Sequence, residues 1–129
     1  MACFSCCPPS PVQVTLCAAD SVSHVKVISR RSNNDNVYES DIIYDFEHVE
    51  IYKKPLNFST LPSVVYAPSP HDCGLQMEVG EEYLLAGNRE GHQIRVFLCG
   101  QVYDGFSFGA PQWDSVSQEI RKKLIDFQC

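Results

Sequence analysis

Seven cysteines divide this chain unevenly: Cys3, Cys6, Cys7 and Cys17 crowd into the first seventeen residues, whereas Cys73, Cys99 and Cys129 stand singly along the rest. A cysteine-dense end facing widely spaced partners is the pattern of a terminal segment stapled across a small body. Each such bridge closes a long loop and restricts the unfolded chain, which is worth roughly 3 to 5 kcal/mol at these lengths. So many thiols without metal-ligand spacing also point to an oxidising compartment, and so to secretion into the extracellular space.

At 129 residues the chain has apolar sequence for one core, and it reads as a single domain over 1–129. No apolar stretch opens it, so it reads as a mature form with Met1-Ala2 as a cloning remnant. No run approaches the roughly 18 apolar residues that span a bilayer. A formal charge of −6 disfavours nucleic acid and anionic lipid, both of which select basic surfaces, and suits a basic protein partner better.

Ser10-Pro11-Val12-Gln13 predicts a helix start, with Ser10 as N-cap, Pro11 in the first turn and Gln13 completing a capping box; the helix should run to about Ala19. Ser21 to Ser29 is rich in valine and reads as a strand, followed by a polar loop over Arg30 to Asn36. In the strand predicted from Val37 to Tyr52, Tyr38, Ile42, Tyr44 and Phe46 fall on one face. Glu39, Asp41, Asp45 and Glu47 fall on the other, as an acidic stripe with Asp35 and Glu50 nearby. Asn57-Phe58-Ser59 is a glycosylation sequon in the next loop.

Further strands are expected at Ser63 to Ala67, Glu82 to Ala86 and Gln93 to Gln101, the last two joined by a turn at Asn88 to Gly91. Five strands in a small antiparallel set suggest a closed barrel, which leaves no exposed edge. After a glycine-rich loop over Asp104 to Gly109, Val116, Ile120, Leu124 and Phe127 recur at helical spacing, with Ser115 to Gln118 as a capping box. Trp113 reads as a packing anchor. The expected class is therefore mainly β with flanking helices.

Several short motifs occur in one order along nearly the whole chain. They are Cys7 and Cys17 with nine residues between them, Cys17-Ala18-Ala19-Asp20, Val25-Lys26-Val27 and Tyr52-Lys53. Then come Val65-Tyr66-Ala67-Pro68 before Cys73-Gly74, Glu81 to Gly87, Cys99, Ala110-Pro111 near Trp113, and Cys129. In this the sequence resembles the netrin-like domain, and most closely the N-terminal domain of tissue inhibitors of metalloproteinases. The resemblance implies a five-stranded OB-like barrel with helices packed on it. It also implies bridges from the N-terminal cysteines to Cys73 and Cys99, and from Cys17 to Cys129. Seven is odd, so one of Cys3, Cys6 and Cys7 is left free or pairs between chains.

The resemblance further implies a mode of action. In these inhibitors an N-terminal cysteine grips the protease's zinc through its free α-amino group and carbonyl oxygen, and the next residue fills the specificity pocket. Only an unacylated, deprotonated amine is a zinc ligand, so one preceding residue destroys it. A chain starting at Cys3 would present Phe4 to the pocket, with Ser5 and Cys6 completing the wedge and Ala67 to Cys73, including Pro68, Ser69 and Pro70, as the companion ridge. Two spacings differ from the family pattern. Two residues rather than one separate Cys3 from Cys6, and registering Cys7 through Cys17 puts Ser5 at the gripping position.

Other chemistry has weaker support. Cys3-Phe4-Ser5-Cys6 is a CxxC, but Pro8-Pro9 follows where a redox motif needs a helix, so structural half-cystines are expected. His24, His48, His71 and His92 lack paired ligand spacing and read as surface or satisfied core residues. No hydrolase, zinc-protease or phosphate-loop motif is present, so no enzyme, bound metal or cofactor is expected. Two functions remain: a secreted module capturing a basic protein through Glu39, Asp41, Asp45 and Glu47, which is the leading expectation, and a zinc metalloproteinase inhibitor acting by its N-terminal wedge.

Overall fold

The computed structural model has five strands: β1 Ser21–Ser32, β2 Ile42–Lys53 and β3 Val64–Ala67, which are rich in β-branched and aromatic residues, and β4 Glu82–Glu90 and β5 Gln93–Arg95, which are held by Tyr83-Leu84-Leu85 and Ile94. The structure describes residues 7, 10–32, 41–68, 74–103 and 109–129. The strands close into a barrel in the order β1-β2-β3-β5-β4. Four of the five contacts are antiparallel. The exception is β3 with β5, which run parallel and meet at Tyr66 and Arg95.

Two cores follow from the period-two alternation of strand side chains. Val25, Val27, Ile42, Tyr44, Phe46, Val65, Tyr83, Leu85 and Ile94 fill the barrel. On the outside of β1 and β4, Val22, Leu84 and Ala86 pack against α1 (Val12–Ala18) and α2 (Gln118–Asp126) through Leu16, Ile120 and Leu124, together with Val116 just ahead of α2. β1 and β4 are thus buried on both faces where the helices cover them, whereas the outer face of β2 opens to solvent beyond the buried Ile43. The predicted inward face of β2 is correct for Ile42, Tyr44 and Phe46; Tyr38 and the expected start of that strand lie outside the described residues.

Local details differ from expectation. Helix α1 has Pro11 at its N-cap and no side-chain cap bond, because Gln13 turns away to the carbonyl of Gln128 instead of closing a capping box with Ser10. Helix α2 is capped by Ser117, whose Oγ accepts from the Ile120 amide at 3.2 Å; Ser115 ends a 3-10 turn over Trp113–Ser115. The fifth strand stops at Arg95 rather than reaching Gln101, since beyond it the chain makes only an isolated bridge from Phe97 to Gly74. β4 continues through Asn88 to Glu90, so the hairpin turn narrows to Gly91 and His92, with Gly91 at φ +63°.

Among the described residues, two disulfides tie the ends on: Cys7 to Cys99, and Cys17 at the end of α1 to Cys129 after α2. Both match the pairing implied by resemblance. Lys53 adds a third tie, its Nζ donating to the carbonyls of Leu16 and Cys17 at 3.1 Å each, where a cation complements the C-terminal end of α1.

Candidate functional site

One pole of the barrel gathers the residues that border the predicted wedge and ridge. Ala67, the last residue of β3, is fully buried and pairs with Ile42; half-buried Pro68 follows it out of the barrel. The chain re-enters the described structure at Gly74, which bridges to Phe97. Two residues after Phe97, Cys99 holds Cys7. The N-terminal end and the segment after β3 are thus both fastened to the short stretch 97–99. Cys3, Phe4, Ser5 and Cys6, and Ser69, Pro70 and Cys73, lie outside the described residues, as does His71.

That stretch is held by a side chain with no sequence signature. The Gln101 carboxamide accepts from the Ala86 amide at 2.9 Å and donates to the carbonyls of Ala86 at 2.8 Å and Phe97 at 2.9 Å. It thereby supplies β4 with the pairing that a longer β5 would have given, and fixes the loop around Cys99. Leu98 packs on the barrel core, and Gly109 comes close to it: a Cβ there would lie 3.5 Å from Leu98 and 3.1 Å from Leu75. Beside this pole, an open groove of about 300 Å³ runs between α1 and the loop, lined by Val14, Thr15, Ala18, Phe97, Cys99 and Gln101.

The acidic stripe is not a uniform field. Asp41 binds Arg95 through two bonds of 3.0 and 3.1 Å, with Glu90 3.5 Å from the same guanidinium. Asp45 accepts from Arg31 at 3.0 and 3.3 Å and from Ser29 at 2.7 Å; the Arg31 hydrogen bond, then the Ser29 one, hold its carboxyl below the usual carboxylate range. Both carboxylates are therefore spent on arginines of other barrel strands, Asp45 on Arg31 of the adjacent β1 and Asp41, just ahead of β2, on Arg95 of β5. Of the four predicted face residues, Glu47 is the one exposed without such a pair among the described residues, and Glu39 lies outside them. Glu50 accepts from the Tyr52 hydroxyl at 3.1 Å. Carboxylates already neutralised by arginine steer a basic partner weakly.

Of the described histidines, two are packed or bonded into the barrel and one is on the surface. His24 is buried, with Nε2 2.6 Å from Glu82, and its ring stacks on Trp113 at 3.9 Å. Arg121 covers Trp113 at 4.4 Å, so the tryptophan anchors the last helix to the barrel as expected. His48 joins Ser23 at 2.6 Å to the Pro62 carbonyl at 2.8 Å, and His92 is exposed in the hairpin turn.

Comparison with known proteins agrees with this architecture. The model of a family described as "Tissue inhibitor of metalloproteinase" matches residues 1–126. The chain is 34% identical over 136 residues to a Caenorhabditis elegans protein named "Putative metalloproteinase inhibitor tag-225", covering 95% of this chain and 86% of that one. It is 31% identical over 129 residues to "Metalloproteinase inhibitor 2" of Bos taurus, covering 93% of this chain and 53% of the bovine one. The chain thus spans about half the length of the bovine relative.

Proposed function

Since the chain belongs to the tissue inhibitor of metalloproteinase family, and so to a family of inhibitors rather than enzymes, we propose that it inhibits zinc metalloproteinases outside the cell. The inhibitory element is the N-terminal segment ahead of Cys7, supported on one side by the segment that leaves β3 at Pro68. One observation carries this reading. Cys7 is bonded to Cys99 and Gly74 is bridged to Phe97, so both segments start from one small, well-braced spot. A wedge must be rigid at its root, because a ligand held loosely loses its binding energy to ordering.

The anchor also limits reach. An extended chain gains at most about 3.3 to 3.6 Å per residue, so an amine on Ser5 extends no more than about 7 Å beyond Cys7, and one on Cys3 no more than about 14 Å. A protease zinc sits at one depth, so one start should fit. Capture of a basic protein is the weaker reading, because two of its four carboxylates are already paired.

The test compares forms beginning at Met1, Cys3 and Ser5 against a panel of zinc metalloproteinases. We expect inhibition from a trimmed form, abolished by acetylating its α-amine or adding one residue. Equal inhibition by the Met1 form would overturn the wedge. Inhibition by none would overturn the inhibitor reading.

A further inference from the structure

We propose that Asn57 is an N-glycan acceptor, and that its glycan screens an apolar patch at the end of β2 without touching the inhibitory pole. The sequon Asn57-Phe58-Ser59 is short and common, so its context decides. The Phe58 amide donates to the Pro55 carbonyl at 3.1 Å, closing a turn in which Leu56 and Asn57 are the two apical residues. Asn57 and Ser59 are both exposed, while Phe58 between them packs against the barrel core with the Arg89 guanidinium 5.9 Å above its ring. Lys54 Nζ donates to the Phe58 carbonyl at 2.7 Å. The turn is thus pinned at its base and open at its tip, which presents the acceptor amide to a transferase.

Two further observations point the same way. The disulfides Cys7–Cys99 and Cys17–Cys129 require an oxidising compartment, such as the one in which N-glycans are added. The turn and the end of β2 expose apolar side chains: Leu56 is 100% exposed, Val49 54% and Ile51 42%. Ile51 opens on a groove bounded by Tyr52, Ser59, Thr60 and Leu61. A hydrophilic polymer rooted at Asn57 would cover this surface, which would otherwise favour self-association.

In the transfer, the co-reactant is a polyprenyl-pyrophosphate-linked oligosaccharide. The Asn57 amide nitrogen bonds to the anomeric carbon of its first N-acetylhexosamine. The bond from that carbon to the pyrophosphate oxygen breaks, the polyprenyl pyrophosphate leaves with the electron pair, and one amide proton passes to a base on the transferase. Lys53, where the loop begins, is at the far end of β2 from Ile42, the partner of Ala67. Inhibition should therefore be indifferent to the glycan.

The experiment is secretion of the full chain from a eukaryotic cell, followed by gel mobility and peptide mass before and after peptide N-glycosidase treatment. A slower band should collapse on treatment, with Asn57 converted to aspartate. That band should be lost in Asn57→Gln and Ser59→Ala but kept in Ser59→Thr, which preserves the sequon. Treated protein should bind an apolar dye more strongly than untreated protein, and the difference should shrink in Leu56→Ser. Secreted protein whose Asn57 peptide is unmodified would overturn the assignment. Equal dye binding before and after treatment would overturn the screening role. Neither readout measures metalloproteinase inhibition, so either can fail while the inhibitor reading stands.

Discussion

Gly87 is the residue at which the barrel's closure is least forgiving. It pairs with Ser21 where β4 meets β1, and a Cβ built on it would stand 2.5 Å from a methyl carbon of Ile94 and 2.9 Å from the Ser21 hydroxyl. The constraint is close approach of two side chains, since its φ is not one of the positive values that favour glycine. Gly87→Ala should therefore destabilise the fold by about 1 to 3 kcal/mol, the usual cost of overpacking. Denaturant titration would check this, and an unchanged midpoint would mean that Ile94 and Ser21 yield freely. Asp41 and Asp45 teach a different lesson at the same scale. Their outward placement was legible from alternation along β2, but their partners were not. Arg95 lies 54 residues from Asp41, and Arg31 pairs with Asp45 only through strand register. Gln101 is harder still, because nothing near it in sequence marks an amide that replaces a strand.

Among the elements, the inward face of β2 was readable from sequence and the length of β5 was not, for one physical reason. β2 has a barrel face and a solvent face, so its polarity alternates; β5 ends after three residues because Gln101 and the Gly74 bridge take over its pairing. Propensity alone cannot tell an extended segment with a strand partner from one held by a side chain. The end of β2 also makes a testable pH response. Burial first, and then the hydrogen bond to Glu50, push the Tyr52 phenol up to about 12 from an ordinary 10.0. Between those values the unfolded chain loses the proton before the folded one. This contribution to stability is therefore complete below about pH 10 and lost as pH rises towards 12. Tyr52→Phe should flatten the alkaline limb of stability against pH, measured by denaturation midpoints, and leave the neutral region nearly level. An identical alkaline slope in the variant would assign the loss to other groups. The effect should be modest, because Tyr52 is only partly buried and water screens it.

For the molecule as a whole, the two described disulfides have different work to do. Cys17–Cys129 joins α1 to the chain end after α2, a separation of 112 residues, and fastens the outer helical layer to the barrel. Cys7–Cys99 spans 92 residues and roots the N-terminal segment at the pole that also carries Gly74 and Phe97. Loop entropy makes the two nearly equal contributors, roughly 4 to 5 kcal/mol each, because the cost grows only with the logarithm of loop length. Stability alone would not distinguish them. Function should: replacing both Cys17 and Cys129 by serine is expected to lower the melting temperature yet leave inhibition intact wherever the protein is still folded. The Cys7 and Cys99 double replacement should lower it similarly and lose inhibition even when fully folded, because the proposed wedge would have no fixed root. The measurement is inhibition at a temperature well below both melting transitions, alongside circular dichroism to establish folding. If both pairs lost inhibition in proportion to stability, the pole would have no special role, and the bridge from Cys7 to Cys99 would be a staple like the other.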